Sequence, residues 1–307
     1  MIRKTILLII VAVIVVTLLT VFLFSKHKSF TKKGVFKVEQ IKTFQYTNYT
    51  YRQLRLWYEN CSRCYVVLEI PQGFRKLNLA YVVHGGGFVA GRATGFSNMA
   101  KFFLEKGYAV ASVEYRLCTN WDWLTVIGDI ARGVKASYQY LVENGYEVQK
   151  RIYIGSSAGA VAGAVLIYDP PTSLHDISGL VDSFIGLSGG YCISALPEWR
   201  HAEEKLFCNT TVANIMPFDR LEMLPSRNVP ALLVNGNNDK LLDRNAGKGD
   251  FNTHASCMEK YLKNNGVTVK VVIIEGGNIQ PMKEIIVKDS DVYVAVQNFV
   301  NMLDKEG

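Results

Sequence analysis

Short β-branched runs alternate with longer segments of helical period along most of this chain. Val66 to Ile70 reads as a strand ending at Pro71, and Leu79 to Val83 as a second, running into three glycines. Phe102 to Lys106 ends a helix closed by Gly107, and Ala109 to Val113 is the strand after it. Ile127 to Val142 has helical spacing and stops near Gly145; Arg151 to Ile154 is a strand and Ala158 to Tyr168 a small-residue helix. Phe184 to Leu187 and Ala231 to Val234 are further strands. Ser256 to Asn264 is a helix ended by Gly266, Val267 to Ile274 a strand, and Asp291 to Leu303 the closing helix. Strands in alternation with helices predict an α/β fold: a mostly parallel central sheet with helices on both faces. Residues 189–228 break the alternation and read as a cap or excursion within a domain spanning 41–307.

The first forty residues follow a different pattern. Ile6 to Phe24 carries no charge and is interrupted in polarity only by Thr17 and Thr20. At about 1.5 Å per residue it nearly spans a bilayer core of about 30 Å. The run is longer than a signal-peptide core, and Ser25-Lys26-His27-Lys28 follows in place of a small-residue cleavage site. Residues 1–24 therefore read as an uncleaved single-pass membrane anchor and 25–40 as a basic juxtamembrane linker. Positive charge on both flanks leaves open which side of the membrane carries the domain.

Charge changes the picture little beyond that. The net charge is +7, but basic residues crowd the start, at Arg3, Lys4, Lys26, Lys28, Lys32, Lys33 and Lys37. The remainder is close to neutral, which argues against a nucleic-acid partner. Of the six cysteines, Cys61 and Cys64 form a C-x-x-C without the second pair a zinc site needs, so a local disulfide or two free thiols remain. Asn48, Asn60 and Asn209 stand in N-x-S/T sequons, which matter only in a glycosylating compartment.

The chemistry concentrates at two motifs. Gly155-Ser156-Ser157-Ala158-Gly159 lies between a hydrophobic strand and a helix. A serine at such a sharp turn has its hydroxyl pushed out at the carboxyl edge of the sheet. His84-Gly85-Gly86-Gly87-Phe88 directly follows another strand. Three glycines in a row are entropically costly and make sense where backbone N–H groups must approach a developing oxyanion. After the strand at 231–234, Asn235-Gly236-Asn237-Asn238-Asp239 ends a turn on a carboxylate, and Asp243 follows as a weaker candidate at the same edge.

These motifs, in this order, resemble the α/β-hydrolase superfamily, in particular its HGGG-type esterase and lipase branch (hormone-sensitive-lipase-like and carboxylesterase-like proteins), over roughly residues 50–303. Glu114-Tyr115-Arg116-Leu117 is similar to that branch's YRL strand end, and Asp129 to an aspartate in the helix that follows it. Ser188-Gly189-Gly190-Tyr191 looks like the SGxY segment of the prenylcysteine-methylesterase and kynurenine-formamidase relatives. The resemblance implies Ser157 as nucleophile, N–H groups of Gly86, Gly87 and Ala158 as oxyanion hole, Asp239 as triad acid, and His84 as a brace. It implies a small-molecule ester substrate, which a membrane tether would make lipophilic, and neither a metal nor an organic cofactor.

The base is missing. Family spacing places it at Asn278 or Ile279, and no histidine follows His254. Three explanations compete. The protein is a pseudohydrolase that binds a ligand through an inherited pocket; another histidine substitutes, His254 first and His175 or His201 after it; or the serine uses water or a carboxylate. Trp121, Trp123, Trp199, Glu203 and Glu204 are candidates for the pocket wall.

Overall fold

In a computed structural model, the described residues are 37–302 apart from 172, 175–176, 199–207, 209, 211–227 and 249–252. The expected anchor at 1–24, most of the linker and cap, and His175, His201, Trp199, Glu203 and Glu204 lie outside them. Among the described residues, no helix is long and apolar enough to cross a membrane.

Among the described residues nine strands form one sheet: β1 (Lys37–Tyr46), β2 (Tyr49–Trp57), β3 (Tyr65–Pro71), β4 (Lys76–Val83), β5 (Ala109–Val113), β6 (Glu147–Ser156), β7 (Ser183–Leu187), β8 (Ala231–Gly236) and β9 (Val269–Ile274). Their order is β1-β2-β3-β5-β4-β6-β7-β8-β9. The pairs from β5 through β9 are parallel, and β1, β2 and β3 join antiparallel. Helices are α1 (Asn98–Leu104), α2 (Trp123–Glu143), α3 (Ala158–Tyr168), α4 (Thr253–Asn264), α5 (Gln280–Glu284) and α6 (Asp291–Met302).

Two apolar layers sandwich the sheet. Val126, Ile130 and Val134 of α2, Val161 and Val165 of α3, and Met258 and Leu262 of α4 pack on one face. Phe102 and Phe103 of α1 and Val292, Val296 and Phe299 of α6 pack on the other. Every residue of α3 is buried, which is why its sequence is small and apolar on all sides and not amphipathic. α2 starts one turn earlier than its apolar period suggests, because the Asp122 carboxylate caps it, accepting from Thr125 N at 2.9 Å and from its hydroxyl at 2.7 Å.

The β1–β2 hairpin is absent from the sequence reading, and β1 begins inside the segment read as linker. Its residues are exposed on both faces for most of their length, so no alternation marks it. The turn at Thr47-Asn48 places Thr47 at φ 48°, a conformation sequence does not announce for threonine.

All six cysteines pair: Cys61 with Cys64, Cys118 with Cys208, and Cys192 with Cys257. The last two close loops with separations of 90 and 65 residues, the kind of cross-link that removes most freedom from the unfolded chain.

Candidate active site

Register places the site. Val83 lies opposite Gly155, Gly155 opposite Gly186, and Leu187 opposite Val234. The carboxyl ends of β4, β6, β7, β8 and β9 therefore open onto one edge, with β4 at the point where the strand order reverses.

Ser157 sits at that edge in a strained backbone conformation, φ 49° and ψ −116°. Its N–H donates to the Leu187 carbonyl at 2.8 Å, and its own carbonyl accepts from Ala160 and Val161 at 2.9 and 3.0 Å as α3 begins. The flanking glycines are a steric requirement. A Cβ on Gly155 would collide with the Gly159 carbonyl, and one on Gly159 with the Val83 carbonyl. The motif spacing thus encodes how closely α3 crosses the ends of β4 and β6.

The glycine loop lies directly against this turn: a Cβ on Gly85 would stand 2.8 Å from Ser156 O and 3.0 Å from Ser157 Cβ. Gly86 and Gly87 have φ of 113° and 60°, and Val89 and Ala90 N–H groups fold back onto the Gly86 carbonyl at 3.1 and 3.0 Å. His84 turns away from the serine. Its ring stacks on Tyr115 with centroids 4.3 Å apart, Nδ1 lies 2.7 Å from the Gly85 carbonyl, and Nε2 lies 3.7 Å from Glu114. It is a brace for the loop.

Asp239 and Asn278 meet. The Asn278 side-chain amide donates to Asp239 Oδ2 at 2.9 Å. Asp239 Oδ1 accepts the Leu241 and Leu242 N–H groups at 3.2 and 3.3 Å. Burial pushes the Asp239 carboxyl above its ordinary value, and these donors pull it partly back. Asp243 is buried too, but its carboxylate serves the Asn245 N–H of its own turn. Asn278 is itself fixed through its carbonyl, which accepts from the Ser188 hydroxyl at 2.6 Å. Of the two positions that spacing left open, Asn278 stands against Asp239. Ile279 is 56% exposed and has no polar side-chain atom to offer it.

His254 does not reach Ser157. It is fully buried; Nδ1 accepts from the Cys192 N–H at 3.1 Å and Nε2 faces the Leu242 carbonyl. That pairing fixes a neutral Nε2–H tautomer and leaves neither nitrogen for a serine proton. The expectation of a substitute base at His254 is corrected: the ring ties the loop after β7 to the loop after β8, beside the Cys192–Cys257 cross-link. No sequence signal distinguished this, because the start of α4 does lie at the same sheet edge.

A cavity of about 490 Å³ opens over Ser157. Gly85, Gly86, Gly87, Ser156, Ser157, Ala158, Gly190 and Asn278 line its floor, and Phe88, Val89, Val161, Leu196, Leu241, Leu242, Ile279 and Met282 its apolar walls. Among the described residues that line it there is no histidine. Trp121 and Trp123 are not in the wall either. Trp123 packs edge-on against Phe88 with centroids 5.0 Å apart, and Trp121 lies under the Arg116 guanidinium. Asp129 is buried in α2 and holds that guanidinium through Nε and Nη2, each at 2.7 Å, which pins the end of β5 to α2. The one described carboxylate and thiol cluster of metal-like spacing, Glu59, Cys64 and Asp129, is occupied by this ion pair and by the Cys61–Cys64 disulfide.

Comparison with known proteins agrees with this fold. The BD-FAE family model matches residues 69–169, which take in both the glycine loop and Ser157. A probable isoprenylcysteine alpha-carbonyl methylesterase of Arabidopsis thaliana is 22% identical over 214 residues, covering 63% of this chain and 43% of that protein. Among solved structures, a truncated carbohydrate esterase from gut microbiota superposes with a TM-score of 0.64 at 14% identity, covering 86% of this chain and 96% of that one. Esterase B from Lactobacillus rhamnosis, inhibited by a tributyrin phosphonate, superposes with a TM-score of 0.62 at 15% identity, covering 96% and 94%. Thermogutta terrifontis esterase 2, phosphoramylated by tabun, superposes at 0.58 and 18% identity, covering 82% and 92%. The structural likenesses speak to fold; the matched segment, that fold and the curated relative together support placing the chain in the α/β-hydrolase esterase/lipase family.

Proposed function

We propose that this chain is an esterase-type hydrolase of a small, apolar carboxylic ester, with Ser157 as acyl acceptor and Asn278 in the seat of the base. The observation that carries the reading is the juxtaposition of the strained Ser157 turn with the Gly86-Gly87 loop in one apolar cavity. Ser157 Oγ attacks the carbonyl carbon and the carbonyl electron pair moves onto oxygen. The N–H groups of Gly86, Gly87 and Ala158 take up that charge. Collapse expels the alcohol, and water then releases the acid.

The Asn278 amide holds Asp239 as an imidazole N–H would, but it offers no basic nitrogen to the serine. The hydroxyl proton therefore leaves to solvent, and acylation is slow and hydroxide-dependent. A triad lacking one member keeps only what the oxyanion hole and binding supply. The same amide–carboxylate bond favours a second reading: a pseudohydrolase that binds an ester-like ligand without turnover. The pairing of all six cysteines favours an oxidising compartment for the domain, which accords with residues 6–24 as a tether.

Hydrolysis of p-nitrophenyl butyrate by the full chain, with fluorophosphonate labelling, separates the two readings. The esterase reading expects labelling lost in Ser157→Ala and turnover that climbs about tenfold per pH unit through pH 7–9, without the plateau a histidine gives. A folded, unlabelled, inert wild type leaves the binding reading.

A further inference from the structure

The tetrapeptide Cys61-Ser62-Arg63-Cys64 lies outside the pocket, yet its arginine reaches the outer side of the oxyanion loop. Arg63 Nη2 donates to the Gly91 carbonyl at 2.7 Å, and Nε to the Tyr115 carbonyl at 3.0 Å. The same Nη2 pairs with Glu114, whose side chain is 1% exposed. Glu114 in turn accepts the Ala93 N–H at 2.6 Å and faces His84, while the Tyr115 hydroxyl donates to the His84 carbonyl at 2.9 Å. Both ends of the loop 84–93 are thus tied to one guanidinium and the carboxylate it neutralises. Gly91 belongs to this closure: at φ 103°, a Cβ there would run into the His84 ring and the Gly85 carbonyl. The disulfide brings the Cys61 and Cys64 Cα atoms within 5.2 Å of each other, so the turn that carries Arg63 is short and covalently closed.

We infer that Arg63 is a positioning residue for the oxyanion loop, and that the Cys61–Cys64 cross-link sets its place. The inference rests on the reading of Gly86 and Gly87 as oxyanion donors. A single ammonium cannot span the Gly91 and Tyr115 carbonyls as the planar guanidinium does. Without Arg63 the buried Glu114 carboxylate loses its counter-charge, and the loop it holds at Ala93 and His84 relaxes. Donors displaced by a fraction of an ångström support the developing charge less well, while the apolar walls that bind a resting ligand stay put.

The test compares three measurements on the full chain in detergent: the rate of Ser157 labelling by a fluorophosphonate, amide hydrogen exchange in residues 84–93, and binding of Nile red to the apolar cavity. Arg63→Met is expected to label about 10- to 100-fold more slowly, to exchange faster within 84–93, and to bind Nile red unchanged. Arg63→Lys recovers only part of the rate, and added guanidinium restores it in Arg63→Ala. The double variant Cys61→Ser, Cys64→Ser moves both labelling and exchange the same way by a smaller factor. Wild-type labelling and exchange in Arg63→Met overturn the inference. So does a loss of Nile red binding in step with labelling, which marks general damage. A wild type that does not label at all refutes the nucleophile reading instead; faster exchange in 84–93 in Arg63→Met then still upholds the clamp, and unchanged exchange still overturns it.

Discussion

The two halves of the site are made from different chemistry. On the β4–β6 side, the oxyanion loop and the serine turn consist of main chain, held by glycines that admit no Cβ and by strands whose register fixes Val83 beside Gly155. On the β8–β9 side, a buried carboxylate and the residue facing it are side chains on loops, Asp239 and Asn278. The first half cannot change without disturbing the packing of α3 on the sheet. In the second, one residue can be exchanged while its hydrogen bond to the acid survives. The fold therefore fixes the Ser157 turn and the glycine loop, and leaves the residue facing Asp239 free to vary.

Substitutions sharpen that contrast, beginning with the largest effect. Gly155→Ala or Gly159→Ala is expected to cost about 4 kcal/mol or more, because backbone meets backbone and no side chain can yield; chemical denaturation measures it. Asp239→Asn is expected to change wild-type turnover by less than about threefold, since the side chain that its carboxylate holds is the Asn278 amide and not an imidazole. In an Asn278→His background the same change should remove most of the gain that the histidine brings, about a hundredfold, and paired kinetic assays of wild type and the three variants check this.

A third expectation concerns Glu69, far from the chemistry. It is buried on β3 against the Gln53 amide at 2.8 Å, and burial pushes its carboxyl up to about 8 from an ordinary 4.5. Between those values the folded chain holds a proton that the unfolded chain releases. Stability therefore falls as pH rises from 4.5 to 8, by on the order of a few kcal/mol, and levels off above. Denaturation midpoints against pH should show the slope in the wild type and lose it in Glu69→Gln. The smallest effect on reactivity belongs to His254→Ala. It leaves the Cys192 N–H and the Leu242 carbonyl unpaired and costs ~2 kcal/mol, yet Ser157 labelling should stay within about twofold once the protein is folded.

Much of this was legible in the chain. The run of strands and helices from Tyr65 onward followed from apolar periodicity and glycine stops, and the two glycine motifs marked the turns at Gly85 and Ser157 that the structure brings together. β1 was not legible, since a strand exposed on both faces carries no alternation. His254 misled because sequence position fixes which edge a helix starts on, but not whether a ring there faces the cavity or the Leu242 carbonyl. That no histidine follows His254 could be read directly. That Asn278 keeps the acid's hydrogen bond could not, because an amide's partner depends on how Ser188 and Gly276 hold the loop.

The central claim is that Asn278 occupies the base's seat in an otherwise assembled site. Its direct test is the hydrolysis of p-nitrophenyl butyrate by Asn278→His across pH 5 to 9, beside wild type and the double variant with Ser157→Ala. The account predicts a gain of about 100-fold or more at pH 7.5, a profile that levels off above the imidazole pKa, and loss of the gain when Ser157 is removed. A folded Asn278→His variant with no gain, or a gain that survives Ser157→Ala, would contradict it.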